Sequence, residues 1–164
     1  LCWVALNGVY GTHIFSRSNI VGVIEVYPRH LILFDTCEPF LAAFFTIDTD
    51  KFYALNTAYI CLMNQNTYEM EYLLAILNSK LIEYIYNQLF MGWQITIPAI
   101  ESMPIAKVGK NIQHKIIEIV QSIIYDKKQN KNADISVKEE QLNVLIYSAF
   151  GLTDSEIKII EQNI

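Results

Sequence analysis

The feature that most constrains the fold is a change of hydrophobic period near the middle of the chain. Between residues 69 and 90 the apolar side chains recur every three or four positions, which predicts a helix with one apolar face. These side chains are Met70, Leu73, Leu74, Leu77, Leu81 and Ile85. Asn66 followed by Glu69 predicts the N-terminal cap, and Gly92 lies just past the predicted end.

Short apolar runs before this helix predict strands. As far as about Met63 they are β-branched and aromatic, and Gly, Pro, Asn and Asp separate them. The runs are WVAL, IVGVIEVY, HLILFD, LAAFFTI and TAYICLM. Residues 95–100 read as one more strand, and Pro98 and Pro104 favour a place for it at the edge of a sheet.

The last third of the chain predicts helices. A first helix over 111–127 has an Ile- and Val-rich face, and a polar stretch, KKQNKNAD, follows it. A second helix over 137–150 is closed by Gly151, and Thr153 with Glu156 forms the capping-box pattern that starts a short last helix through Gln162.

These elements predict an α+β fold. In it, an N-terminal, mostly antiparallel β-sheet region packs with the central amphipathic helix, and a C-terminal helical segment follows. The predicted division is 1–109 for the α+β core and 110–164 for the C-terminal helices, within a single compact unit. A chain of 164 residues with 52% hydrophobic content is long enough to bury one core. Because LCWVAL at the start reads as a buried strand without a leading Met, we expect the chain to continue a longer protein.

Charge and cysteine content restrict the function. The net charge of −5 and the pI near 5.1 count against a free-standing nucleic-acid binder. Residues 80–131 nevertheless hold seven lysines against four acids. No apolar run approaches the roughly 20 residues of a membrane helix. The three cysteines are far apart and lack a CxxC spacing, so we expect neither disulfides nor zinc and predict a cytoplasmic location.

Catalytic motifs are not evident. Asp48, Asp50 and Lys51 are close in sequence, but a solvated hairpin tip explains them better than a nuclease centre. The three histidines have no motif around them. The sequence therefore predicts no catalytic and no metal-binding residue, and it leaves open whether the chain is part of an enzyme.

Six segments in a fixed order carry a family resemblance. They are PRHLILFD, YALNTAYI, YLLAILNSKL, the stretch 92–104, IQHKIIEIV and LIYSAFGLTDSEIKIIE. This order resembles the TaqI-like C-terminal specificity, or target-recognition, domain of adenine-specific DNA methyltransferases and of type IIG restriction-modification enzymes. It is also similar to the target-recognition half-domains of type I specificity subunits.

The resemblance implies that the chain reads double-stranded DNA and positions an upstream methyltransferase domain of the same protein, in bacterial defence. Such a domain uses S-adenosylmethionine and grips a flipped adenine. Neither a glycine-rich loop nor an Asn/Asp-Pro-Pro-aromatic loop occurs here. We therefore expect no cofactor in this chain and S-adenosylmethionine in the catalytic domain of its parent. The sequence leaves open whether the parent also cleaves DNA.

Two kinds of side chain are candidates for DNA contact. Arg17, Asn19 and Gln94 carry groups that pair with base edges, and Trp93 beside Gln94 is able to wedge or stack. The cationic candidates for phosphate contact are Arg29, Lys80, Lys107 and Lys110. Core packing is the alternative for Trp93, and an ion pair is the alternative for Arg29.

Two other functions stay open at this stage. A protein-interaction or scaffold domain that docks another subunit through its C-terminal helices fits the acidic pI and the Ile-rich helices. A small independent enzyme requires a closed pocket with convergent polar groups, for which the sequence gives no sign.

Overall fold

The computed structural model describes residues 30–34, 44–48, 58–61, 68–90 and 97–164. Three short strands come first, and helices account for most of the rest. The strands are β1 (His30–Phe34), β2 (Phe44–Asp48) and β3 (Ala58–Cys61). The helices are α1 (Met70–Leu77), α2 (Lys80–Phe90), α3 (Ile97–Glu101), α4 (Lys110–Gln129), α5 (Ser136–Phe150) and α6 (Asp154–Gln162).

The strands pair antiparallel in the order β2-β1-β3. In the register, Leu33 lies opposite Phe45 of β2 on one side and opposite Tyr59 of β3 on the other. Strand β2 is therefore at the edge of the described sheet, and Phe45 on it is 3% exposed.

Helices supply almost all of the described hydrophobic core. Helix α1 packs against β2, α2 and α4, and α4 packs against α5. The largest fully buried side chains include Tyr72 and Ile76 of α1, Ile116 of α4 and Ile146 of α5. Phe45 is the strand residue that joins this buried cluster in the described part of the chain.

The prediction of an α+β fold, with an N-terminal antiparallel sheet region, is wrong. The described part of the chain is predominantly helical, with six helices. A five-residue strand offers few side chains to one face, whereas the 20-residue helix α4 offers a buried row that includes Ile116, Val120 and Ile123. The described core is therefore built mainly from helical residues. The runs WVAL and IVGVIEVY, which counted toward a larger sheet, lie outside the described residues.

The strand predicted over 95–100 is also wrong, because α3 is a short helix at this place. Pro98 is its second residue, where the fixed φ of proline suits a first helical turn and the missing N–H costs no hydrogen bond. Ala99 is buried, and its carbonyl accepts a hydrogen bond from Ser102 Oγ at 2.7 Å. Packing thus overrides the β-propensity of the isoleucines.

The single helix predicted over 69–90 is divided in two at Asn78 and Ser79. The backbone of Asn78 leaves the helical region, with φ −95° and ψ 9°. Ser79 Oγ donates to the carbonyl of Ile76 at 2.6 Å and accepts from the amide of Ile82 at 3.3 Å, so one hydroxyl bridges the end of α1 and the first turn of α2. Glu69 is the N-cap residue, with no side-chain cap bond, and the predicted capping residues Asn66 and Gly92 lie outside the described residues.

Asn78 also attaches this junction to the sheet. Its Oδ1 accepts from the amide of Phe45 and its Nδ2 donates to the carbonyl of Phe45, both at 2.8 Å. Both groups belong to the edge strand β2. The side-chain amide therefore takes the place of a neighbouring strand and satisfies two buried backbone groups.

The C-terminal helices confirm the local signals in the sequence. Helix α4 extends one residue before and two residues after the predicted 111–127, and α5 starts one residue before the predicted 137. Gly151 ends α5 with φ 70°, in the left-handed region that favours glycine. Thr153 and Glu156 form the predicted capping box at the start of α6. The division into an α+β core over 1–109 and C-terminal helices over 110–164 stays a prediction.

We expect Asn78→Ala to lower the free energy of unfolding by about 2 to 4 kcal/mol, because it leaves the buried amide and carbonyl of Phe45 without partners. Urea denaturation followed by far-ultraviolet circular dichroism measures this change. Asn111→Ala, at an exposed position in the first turn of α4, is the matched control and should shift stability by no more than about 0.5 kcal/mol. Equal losses in both variants would contradict the role of Asn78.

Candidate nucleic-acid interface

The structure describes three of the eight residues predicted to contact DNA. They are Lys80, at the start of α2, Lys107, in the connection between α3 and α4, and Lys110, the first residue of α4. The other five lie outside the described residues: Arg17, Asn19, Arg29, Trp93 and Gln94. Their roles stay predictions.

The connection before α4 turns Lys107 outward because its neighbours are held inward. Met103 and Ala106 are buried, and Ile105 and Val108 pack against the core. The carbonyl of Ala106 accepts a hydrogen bond of 2.8 Å from the hydroxyl of Tyr72, on the fully buried face of α1. Lys107 therefore follows a residue that is fixed to the core.

Tyr72 is suited to this anchoring role. Burial, followed by the neighbouring Tyr68, raises the pKa of Tyr72 to about 12. The hydroxyl consequently keeps its proton at every physiological pH and donates it to Ala106. Tyr72 was not predicted as a functional residue, because a tyrosine on an apolar helical face reads as ordinary core.

Lys107 and Lys110 are exposed cations at the start of α4, and together they are called here the lysine surface. Gly109 precedes α4 as its N-cap residue and makes no side-chain cap bond. The partial positive charge of a helix N-terminus therefore adds to the charge of the lysines beside it. Backbone N–H groups at such an end bind phosphate readily, so the lysine surface has the chemistry of a DNA-backbone contact.

Lys80 has a different environment, because its side chain is already paired. Its Nζ lies 2.5 Å from Glu161 Oε2 of α6, and Glu161 Oε1 accepts from the hydroxyl of Tyr147 at 2.7 Å. The backbone amide of Lys80 donates to Asn143 Oδ1 of α5 at 3.1 Å. A phosphate contact by Lys80, which stays a prediction, therefore has to compete with Glu161.

The pKa shifts of this network follow from its contacts. Burial by itself raises the pKa of Glu161, but the hydrogen bonds from Lys80 and Tyr147 outweigh that effect, so the pKa is lowered overall. Burial and the bond to Glu161 raise the pKa of Tyr147. At neutral pH the carboxylate is charged and the phenol is protonated, the state in which both hydrogen bonds form.

Asn143 and Glu161 were also missed at the level of sequence. Asn143 is a polar residue among buried positions of α5, and it is 4% exposed. That position is a usable signal, because a buried amide requires partners. Glu161 gave no signal, since its partner Lys80 is 81 residues away in the chain.

No group of three or more His, Cys, Asp or Glu side chains suitable for a metal ion occurs among the described residues. None of the helices in the described ranges is long and apolar enough to cross a bilayer.

The TaqI-like C-terminal specificity domain family matches residues 5–105, which is more than half of the chain. The matched segment ends one residue before Ala106, to which Tyr72 is bonded. Helices α4, α5 and α6 follow it. A comparison with curated proteins found no match.

We expect the stability that Glu161 provides to vanish in acid. A carboxylate whose pKa is lowered by folding contributes stability above its unfolded pKa, near 4.3, and that contribution disappears as the pH falls through the lower folded value. The difference in unfolding free energy between the parent and Glu161→Gln should be at most about 1 kcal/mol at neutral pH, because the pair is partly exposed. It should shrink progressively as the pH falls below the ordinary range of Glu.

Chemical denaturation at a series of pH values measures this difference. Glu101→Gln, which removes an exposed carboxylate at the end of α3, is the control for a simple change of net charge. A Glu161→Gln effect that persists unchanged into acid would contradict the ionised network.

Proposed function

The chain belongs to the family of TaqI-like C-terminal specificity domains, and we propose on this premise that it selects the DNA site at which an upstream adenine-specific methyltransferase domain of the same protein acts. Family membership gives the coarser role, which is DNA sequence specificity in restriction-modification enzymes. The match over residues 5–105 is the single observation that carries the proposal.

The lysine surface supports this function. It begins two residues after the family-matched segment, and the Tyr72–Ala106 hydrogen bond connects that segment to it. Phosphate contacts there would fix the register of the domain on the duplex without reading sequence. In the proposal, base choice belongs to the family-matched segment, with Arg17, Asn19, Trp93 and Gln94 as candidates.

The acidic composition fits a division of DNA binding between this chain and the upstream domain. At a net charge of −5 the chain alone neutralises few phosphates, so the proposal assigns most of the non-specific affinity to the upstream domain. The same domain would bind S-adenosylmethionine and carry out methyl transfer. The present chain contributes site choice and orientation.

Selection from a randomised duplex library tests the proposal. The chain alone and the chain joined to its upstream region are each incubated with the library at about 50 mM salt, where phosphate contacts still contribute strongly. Enrichment of one short sequence supports the proposed function. Absence of enrichment with both proteins contradicts it.

We expect Lys107→Gln and Lys110→Gln to weaken binding to all duplexes alike. Each lost phosphate contact should reduce the slope of log K against log salt by about 0.9, and the order of preferred sequences should not change. Fluorescence anisotropy over a salt series measures both quantities in the protein that contains the upstream region. Lys158→Gln removes an equally exposed lysine from α6 and should leave the slope unchanged. Identical slopes in all three variants would contradict the lysine surface.

We expect Arg17→Ala and Gln94→Ala to change sequence preference instead. A lost bidentate base contact removes about 1 to 3 kcal/mol of discrimination at one base pair. The library selection, repeated with each variant, should therefore show relaxed choice at a single position while the salt slope stays nearly constant. Equal weakening on every sequence would show that these side chains do not read bases.

A further inference from the structure

The two C-terminal helices α5 and α6 carry the opposite charge to the lysine surface. Residues 136–164 hold five acids against two lysines. Lys138 is paired with Asp126 of α4 and also donates to Ser122, and Glu161 is paired with Lys80 of α2, so these two charges are already balanced. The acids are Glu139, Glu140, Asp154, Glu156 and Glu161. This face repels phosphates, and its chemistry suits a different partner from DNA.

A groove of about 530 Å³ lies in this acidic region, between the start of α2 and helices α5 and α6. Val144, Leu152 and Ile157 give it apolar walls. Its polar lining includes Asn143 and the paired Lys80 and Glu161. The groove is therefore large enough for one or two side chains and combines apolar contact with polar groups.

Asn143 has an unused donor in this groove. Its Oδ1 accepts from the amide of Lys80, but within the described residues no acceptor is found for its Nδ2. The side chain is 4% exposed and lines the groove. A buried N–H group without an acceptor is costly, and a peptide carbonyl entering the groove would satisfy it.

Glu140 and Val144 lie one helical turn apart on α5 and both line the groove. Glu140 is exposed, and Val144 is 60% exposed despite its apolar side chain. Lys80 does not offset the charge of Glu140, because Lys80 is already paired with Glu161. These residues thus offer an occupant of the groove a carboxylate, an apolar side chain and an amide donor.

We propose that this groove docks a basic segment of another polypeptide, which places an aliphatic side chain against Val144, a Lys or Arg beside Glu140 and a main-chain carbonyl on Asn143 Nδ2. Charge complementarity selects this occupant over a nucleic acid or an acidic peptide. The site lies outside the family-matched residues 5–105, apart from Lys80, so it adds a protein contact to the DNA-directed role.

A library of random linear peptides displayed on phage, selected against the complete 164-residue chain, tests the proposal. The expected peptides combine Lys or Arg with Leu, Ile or Val. An enriched peptide is then synthesised and titrated against single variants. Val144→Ser should weaken it by about tenfold, which corresponds to 1.4 kcal/mol of lost apolar contact. Glu140→Gln should weaken it by about threefold, as expected for a partly exposed ion pair.

Each variant has a matched control on the same chain. Val137→Ser changes a valine of α5 that is 65% exposed and does not line the groove, and Glu101→Gln removes a remote exposed carboxylate. Both controls should bind the peptide as the parent does, and thermal melting checks that all four variants are folded.

Three results would overturn the proposal. They are the absence of enriched peptides, equal binding by the groove variants and their controls, and loss of duplex DNA binding in Val144→Ser and Glu140→Gln. The last result would assign this face to nucleic acid. Because the duplex selection described above measures site choice separately, a failed peptide selection leaves the proposed function intact.

Discussion

The described structure depends on the burial of α1 from several sides. Its eight residues pack against β2, against α2 and along α4, so few of its side chains reach solvent. A helix this short is marginal by itself, and its stability has to come from these contacts. The contacts also determine the neighbours: Asn78 at its end holds the edge strand, and Tyr72 in its first turn holds the connection that leads into α4.

The sequence predicted those parts of the fold whose causes are local. Gly151 and the pair Thr153 and Glu156 act on the backbone within a few residues, and they were identified correctly. The division of 69–90 into two helices was missed, because Leu77 and Leu81 keep the apolar period across the break while the cause, the bond between Asn78 and Phe45, spans 33 residues. For the same reason the helix at Ile97–Glu101 and the predominance of helix in the core were not predicted.

The candidate site follows the same division between local and distant causes. Exposure of Lys107 and Lys110 follows from their places between apolar residues and at a helix start, which the sequence displays. The pairing of Lys80 with Glu161 depends on how α2 and α6 meet in space. Lysines that look equivalent in the sequence are therefore unequal in the structure, and charge counted along the chain does not locate a binding surface. Residues 136–164, with five acids against two lysines, contribute most of the negative net charge of the chain, whereas the lysine surface is locally positive.

The hydrogen bond from Tyr72 to Ala106 bears on how specificity could be exchanged between related enzymes. It crosses the point at which the family-matched segment ends, and the buried side chains of α1 and α4 meet across the same point. A recombinant joined at that border would pair α1 with a foreign helix, and the buried side chains of α1 would lose the isoleucines of α4 that pack against them. A functional chimaera should therefore contain the family-matched segment together with α4. The unit that has to be exchanged is longer than the family-matched segment itself.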